Sequence, residues 1–117
     1  MTEDAQPNCL FCQIVGGKRP AKIVHRDSLV TAFRDINPQA PTHILVVTNR
    51  HIRSISEAQA EDAPLLGALL SATAEIARQE GLTGYRLVIN NGSEAGQSVW
   101  HLHVHVIGGR RMTWPPG

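Results

Sequence analysis

No stretch of this 117-residue chain is apolar for long enough to span a bilayer, and the opening Met1-Thr2-Glu3-Asp4 is acidic where a secretory signal is basic and then apolar. These two absences predict a cytoplasmic protein with no membrane partner. Charge of one sign is missing as well: eleven basic residues face ten acidic ones, and a net +1 supplies no broad field for gripping duplex phosphates. Nucleic acid is therefore not expected as a partner, while a small anion held by local groups stays open. Internal repeats and low-complexity segments are absent, and the length suits one domain, 1–117, with a single core. Residues 1–8 read as a flexible N-terminus, and Trp114-Pro115-Pro116-Gly117 as an extended end. A Walker loop is also lacking, because no glycine-rich run ends in Gly-Lys-Ser/Thr before a helix.

What the chain does have is histidine in an unusual arrangement. In Trp100-His101-Leu102-His103-Val104-His105-Val106-Ile107, three of the six histidines alternate with apolar residues. Side chains alternate across a strand, so Leu102, Val104 and Val106 are expected to face the core while the three imidazoles share the other side. At ~3.3 Å per residue, the Cα atoms of His101 and His103 stand ~6.6 Å apart and those of His101 and His105 roughly 13 Å apart. Neighbours can share a ligand, but one tetrahedral metal with bonds of ~2.0–2.1 Å is out of reach of all three. Divided roles follow.

Around this run the patterning alternates between short strands and helix. Asn8 is expected to cap a short helix through about Val15, ended by Gly16-Gly17. Ile23 to Arg26 and Leu29 to Arg34 are predicted strands around a turn at Asp27-Ser28, and His43 to Thr48 is apolar enough for a central strand. From about Asp62 to Glu80 the period is 3.6, with Leu65, Leu66, Leu69, Leu70, Thr73, Ile76 and Ala77 on one stripe, Pro64 in the first turn and Gly81 as the stop. Tyr85 to Asn90 is the next predicted strand. Short links between strands and one long helix imply an α+β fold with an antiparallel sheet.

Two further features carry chemistry. The loop Asn90-Asn91-Gly92-Ser93-Glu94-Ala95-Gly96-Gln97-Ser98 leads into the histidines, and its small residues allow backbone N–H groups close to an anion, with Gln97 and Ser98 as side-chain donors. A plain hairpin loop is the alternative; adjacency to the histidines favours a phosphate cradle. Cys9 and Cys12 form the only Cys-x-x-Cys pair, open to zinc, a redox dithiol or two buried thiols. Redox chemistry wants a thioredoxin-like βαβ setting that is absent, and His51 and His101 are the natural complements for a closed, structural Cys₂His₂ zinc site. Arg50 and Arg53 are expected at the solvated surface, and His25 is given no role.

The histidine run, with Gly96-Gln97-Ser98 before it, resembles the signature of the histidine triad (HIT) superfamily. Asp35-Ile36-Asn37-Pro38-Gln39-Ala40-Pro41-Thr42-His43 and the ending from Gly108 to Gly117 resemble its nucleotide-binding Hint branch. The resemblance implies a HIT-like fold, an antiparallel five-stranded sheet with one long helix and a short N-terminal helix. It implies a purine nucleoside phosphoramidase that cleaves P–N bonds of AMP type, and possible P–O or P–S bonds, through a nucleotidyl-histidine intermediate.

By position, His103 matches the nucleophile, His43 and His105 the histidines flanking the phosphate, and Asn90, Gly96, Gln97 and Ser98 the phosphate and leaving-group contacts. Asp35 would bind the ribose, with Leu10, Phe11, Ile14, Phe33 and Ile36 around the base. Catalysis of this kind needs no metal, since a neutral imidazole of pKa ~6.5 attacks phosphorus unaided. Family members are homodimers with one continuous sheet, whose tail, here residues 108–117, reaches toward the partner's site. Zinc-containing relatives carry Cys-x-x-Cys near the N-terminus; others lack it, so this chain combines Hint-like motifs with a zinc set of Cys9, Cys12, His51 and His101. The competing expectation is a zinc-stabilised purine nucleotide-binding or scaffold protein with incidental hydrolysis.

Overall fold

A computed structural model describes residues 5–117; residues 1–4 of the expected flexible terminus lie outside the described residues. The order of elements is α1 (Leu10–Val15), β1 (Ile23–Arg26), β2 (Val30–Arg34), β3 (Thr42–Thr48), α2 (Ala63–Gln79), β4 (Tyr85–Val88) and β5 (His103–Gly108). The five strands make one fully antiparallel sheet in the order β1-β2-β3-β5-β4. This is the expected α+β architecture, and β3 is central, as its apolar run predicts. No helix among the described residues is long and apolar enough to cross a membrane.

Register sorts the side chains. Val30, Ala32, Ile44, Val46, Val104 and Val106 point to one face, where they pack with Leu102 against Ile52, Leu69, Ala72 and Ile76. On the opposite face Phe33, Leu45 and Val47 meet Phe11 and Ile14 of α1. Because both faces are covered, β3 is apolar on both sides and reads without alternation. His43 and Leu45 share the α1 face, and the partners across the ladder, Ile107 and His105, share it with them, as does His103 opposite Val47.

Local chemistry sets the ends. Asp27 Oδ1 accepts from the amides of Leu29 and Val30 at 2.8 and 2.9 Å, closing the β1–β2 turn. At the start of α2 the Asp62 carboxylate accepts from Gln59 N at 2.8 Å and from Arg50 Nη2 at 2.5 Å. The helix ends at Gly81, whose φ of +72° a side chain would resist, with Leu82 N bonded back to Ala77 O at 2.9 Å.

Several expectations shift. The cap of α1 is Cys9, whose Sγ accepts from Cys12 N, and not Asn8; the thiol competes for the amide because it already lies against the helix start. Leu29 falls outside β2 and is half exposed, since the Asp27 turn consumes its amide. Leu70 lies off the buried stripe of α2 at 48 % exposure, and Ala72 takes a core position. β4 stops at Val88, and the ladder of β5 begins only at His103. Leu102 N bonds Ile52 O at 2.7 Å instead, so His101 and Leu102 keep their alternating directions without belonging to the sheet.

Candidate active site and metal centre

The histidine run divides, as its spacing requires. His101 turns toward the N-terminal helix, where its Nδ1 lies 3.3 Å from Cys9 Sγ and 3.5 Å from Cys12 Sγ, while His51 Nδ1 lies 3.3 Å from Cys12 Sγ. All four donor atoms fall within 4.8 Å of one another. A tetrahedral ion with Zn–S and Zn–N bonds of ~2.3 and ~2.0 Å separates sulfur from nitrogen by about 3.5 Å, so the cluster has zinc's dimensions. Protonation agrees. His101 is fully buried, and its Nε2 donates to the Thr48 carbonyl at 2.6 Å, which leaves Nδ1 bare and aimed at the sulfurs. Without a cation, burial pushes the Cys12 thiol up to about 11, reinforced by the neighbouring Cys9. Two crowded thiols and two imidazoles fit a metal that stabilises thiolates, and four protein donors leave no open position.

His103 and His105 share the α1 face but take no part in that cluster. His103 Nδ1 donates to the His101 carbonyl at 2.6 Å, and a carbonyl can only accept; the ring's Nε2 is therefore bare. Burial holds His103 below the ordinary histidine range and pushes His105 down to about 4, with His103 and His43 adding to the latter shift. Both are neutral near pH 7. His43 Nε2 sits 2.8 Å from His105 Nδ1 and 3.4 Å from Asp35 Oδ2. The donor atoms of Asp35, His43 and His105 also lie close enough together for a metal, and the other ring nitrogen of His43, Nδ1, accepts from Gln39 N at 3.0 Å.

Beside the histidines lies a pocket of about 250 Å³ whose lining includes Leu10, Phe11, Ile14, Phe33, Asp35 and Ile36. All six were singled out in the sequence, and Ile36, fully exposed, is the outermost. Phe11 joins pocket to chemistry: its ring stands edge-on to His103 with centroids 5.0 Å apart and to Phe33 at 5.3 Å. Leu45, Arg19, Pro20, Ala21 and Arg34 also line the pocket and went unnoticed. Strand alternation from His43 would have given Leu45; nothing local marks the others.

The glycine loop behaves differently from its expectation at one residue. Gln97 is buried, and its amide is spent on main-chain groups: Oε1 accepts from Gly92 N at 2.9 Å, and Nε2 donates to Arg53 O at 3.0 Å and Val99 O at 3.2 Å. It braces the loop and offers no side-chain donor to a ligand. Ser98 and Gly96 are exposed in the segment running into the histidines, and Asn90 is half buried just beyond Val88, the β4 partner of His105. Arg53 is exposed as expected and stacks on the Trp100 ring at 4.5 Å, whereas Arg50 is half-buried, because it is drawn onto the buried Asp62 carboxylate. His25 bonds Asp27 at 2.7 Å.

A histidine pair beside an apolar pocket and a distinct Cys₂His₂ cluster thus stand side by side in one small sheet protein. The comparisons name the class. The family model of the HIT domain matches residues 17–112, and the chain belongs to that family. An uncharacterized HIT-like protein of Synechococcus elongatus is 52 % identical over 118 residues, with both chains fully covered. The crystal structure of a HIT family hydrolase from Legionella pneumophila superposes with a TM-score of 0.92 at 50 % identity, covering 94 % of this chain and 100 % of that one. A histidine triad protein from Clostridium difficile gives 0.90 at 36 %, covering 92 % and 96 %.

Proposed function

We propose that the protein is a hydrolase that cleaves the P–N bond of purine nucleoside phosphoramidates, AMP-type substrates foremost, through a nucleotide carried on His103. The observation that carries this reading is the bare, neutral Nε2 of His103 beside a nucleoside-sized apolar pocket edged by Asp35. The purine would lie among Leu10, Phe11, Ile14, Phe33 and Ile36, with the ribose hydroxyls on the Asp35 carboxylate. His103 Nε2 forms a bond to phosphorus as the P–N bond breaks, and the amine leaves with a proton, assisted by Ser98. Water then cleaves the phosphorus–imidazole bond and releases the nucleoside monophosphate. Asn90, Gly96 and His105 would hold the phosphoryl oxygens where negative charge grows.

The cysteine cluster would hold zinc as a structural ion, through Cys9, Cys12, His51 and His101, and none of the steps above passes through it. A cytoplasmic location accords with this chemistry. The apolar Tyr85 and Leu87 on edge strand β4, 37 % and 41 % exposed, together with Leu70, suit a homodimer that continues the sheet. The Legionella and Clostridium proteins, called hydrolases or histidine triad proteins, support the general class.

Rapid acid quench of the wild type with a fluorogenic adenosine phosphoramidate, read by intact mass, should show the nucleotidyl adduct. His103→Ala should bind AMP yet lose turnover by at least about 10³-fold, the scale of removing a covalent nucleophile. AMP binding without an adduct in the wild type would leave a nucleotide-binding protein and no enzyme.

A further inference from the structure

We propose that the backbone amide of Gln39 is a positioning group: acting through His43, it decides which nitrogen of His105 carries the proton, so that His105 meets its ligand as an Nε2–H donor. The protonation pattern stands on geometry alone; that the ligand is a phosphoryl oxygen rests on the function proposed above.

The deduction runs along one chain of hydrogen bonds. Gln39 N–H points at His43 Nδ1 from 3.0 Å. An amide N–H can only donate, so Nδ1 of His43 must be bare and its proton must sit on Nε2. That Nε2–H faces His105 Nδ1 at 2.8 Å, with Asp35 Oδ2 at 3.4 Å as a second, longer acceptor. His105 Nδ1 therefore accepts, and its proton is left on Nε2. His103, two residues earlier in β5, has the opposite arrangement because a carbonyl, not an amide, holds its Nδ1. Two adjacent imidazoles on one strand face are thus set as unlike partners: His103 presents a lone pair and His105 presents a proton.

The amide that starts the chain is itself held on several sides. Arg110 Nε donates to the Gln39 carbonyl at 3.0 Å, and the Gln39 side chain donates to Asn37 O at 3.0 Å. Asp35 Oδ1 accepts from Asn37 N at 2.8 Å, and Asp35 N bonds the His43 carbonyl at 2.9 Å. Pro38 and Pro41 restrict the same loop. The loop thus spends its rigidity on aiming one N–H. A metal at Asp35, His43 and His105 would need His43 Nε2 bare, which means giving up the Gln39 bond.

Long-range proton–nitrogen correlation spectra of metal-loaded, ¹⁵N-histidine-labelled protein at neutral pH read the protonated nitrogen of each ring directly. The expected pattern is Nε2 for His43 and His105 and Nδ1 for His103. In Gln39→Pro, which removes the N–H, His43 and His105 should redistribute between tautomers, kcat should fall roughly tenfold, the scale of one hydrogen bond, and AMP, which carries the same phosphoryl oxygens, should bind more weakly. Gln39→Ala keeps the N–H and should keep the wild-type tautomers. Should the proline variant fail to fold, His43→Gln, which still offers an N–H, should leave His105 protonated on Nε2, and His43→Met should not.

A wild-type His105 protonated on Nδ1, or tautomers that ignore the loss of the Gln39 amide, would overturn the proposal. So would stoichiometric binding of added Zn²⁺ to His43 and His105 in metal-loaded protein. The spectra report the relay and the acid-quench adduct reports phosphoryl transfer, so either reading can fail while the other stands.

Discussion

Phe11→Ala is the substitution that tests how the pocket, the histidines and the cysteine cluster share one small helix. The ring is 4 % exposed, touches Phe33, His101 and His103 edge-on, and lies in sequence between the two cysteines. Truncating a buried Phe costs about 3–5 kcal/mol. Here the void would open into the 250 Å³ pocket, which water can enter, so about 3 kcal/mol is the appropriate end of that range. For a domain of this size each kcal/mol moves Tm by about 3–5 °C, which predicts a fall of roughly 10 °C by calorimetry. A purine would also lose an aromatic wall worth about 1 kcal/mol, or about fivefold in Kd for AMP by titration. Zinc content by elemental analysis should not change, because no donor atom is lost. A Tm lowered by less than about 3 °C, or an unchanged Kd, would refute the packing argument.

Three further outcomes can be measured. Leu87→Lys, placing a charge on the exposed edge of β4, should turn a dimer into a monomer by light scattering; a wild type already monomeric contradicts the interface. Zinc at about one per chain is expected for the wild type, and Cys9→Ser should lose it and melt at lower temperature; full stability of metal-free native protein would remove the structural role. His105, held near 4 in the fold against ~6.5 when unfolded, is protonated first in the unfolded chain as pH falls. Its contribution is intact above about 6.5 and is lost toward 4, at up to about 1.4 kcal/mol per pH unit. Urea unfolding of wild type and His105→Gln at pH 7 and pH 5 should therefore show the wild type losing more, and equal losses would refute it.

The periodic parts of this fold were legible because their signals are local. Period 3.6 placed α2, an unbroken apolar run placed β3 at the centre, and the spacing of His101, His103 and His105 already denied them a common metal. Boundaries slipped where tertiary contacts decide them: His101 and Leu102 carry a strand's alternation but pair with Ile52 and Thr48, residues about 50 positions away in sequence. Gln97 misled because its amide is the donor type a phosphate wants, and only the fold shows that Gly92, Arg53 and Val99 have already claimed it. Main-chain partners such as Gln39 N, Thr48 O and His101 O leave no mark in side-chain identity at all.

Those main-chain partners also tie the two sites together. His101 directs its ring to the sulfurs and its carbonyl to His103, so one residue serves the Cys₂His₂ cluster with its side chain and the proposed nucleophile with its backbone. α1 has six residues, too few to persist as an isolated helix, and the cysteines at its start are separated by the Phe11 that walls the pocket. Metal bound to Cys9 and Cys12 would therefore hold that wall in place while fixing the ring whose backbone aims His103. Coupling of this kind is reciprocal: whatever factor zinc adds to nucleotide affinity, nucleotide must add to zinc affinity. Cys9→Ser should accordingly weaken AMP binding as well as stability, although Cys9 does not line the pocket. A variant that binds no zinc but keeps the wild-type Kd for AMP would show that Phe11 and Ile14 anchor the helix by burial alone.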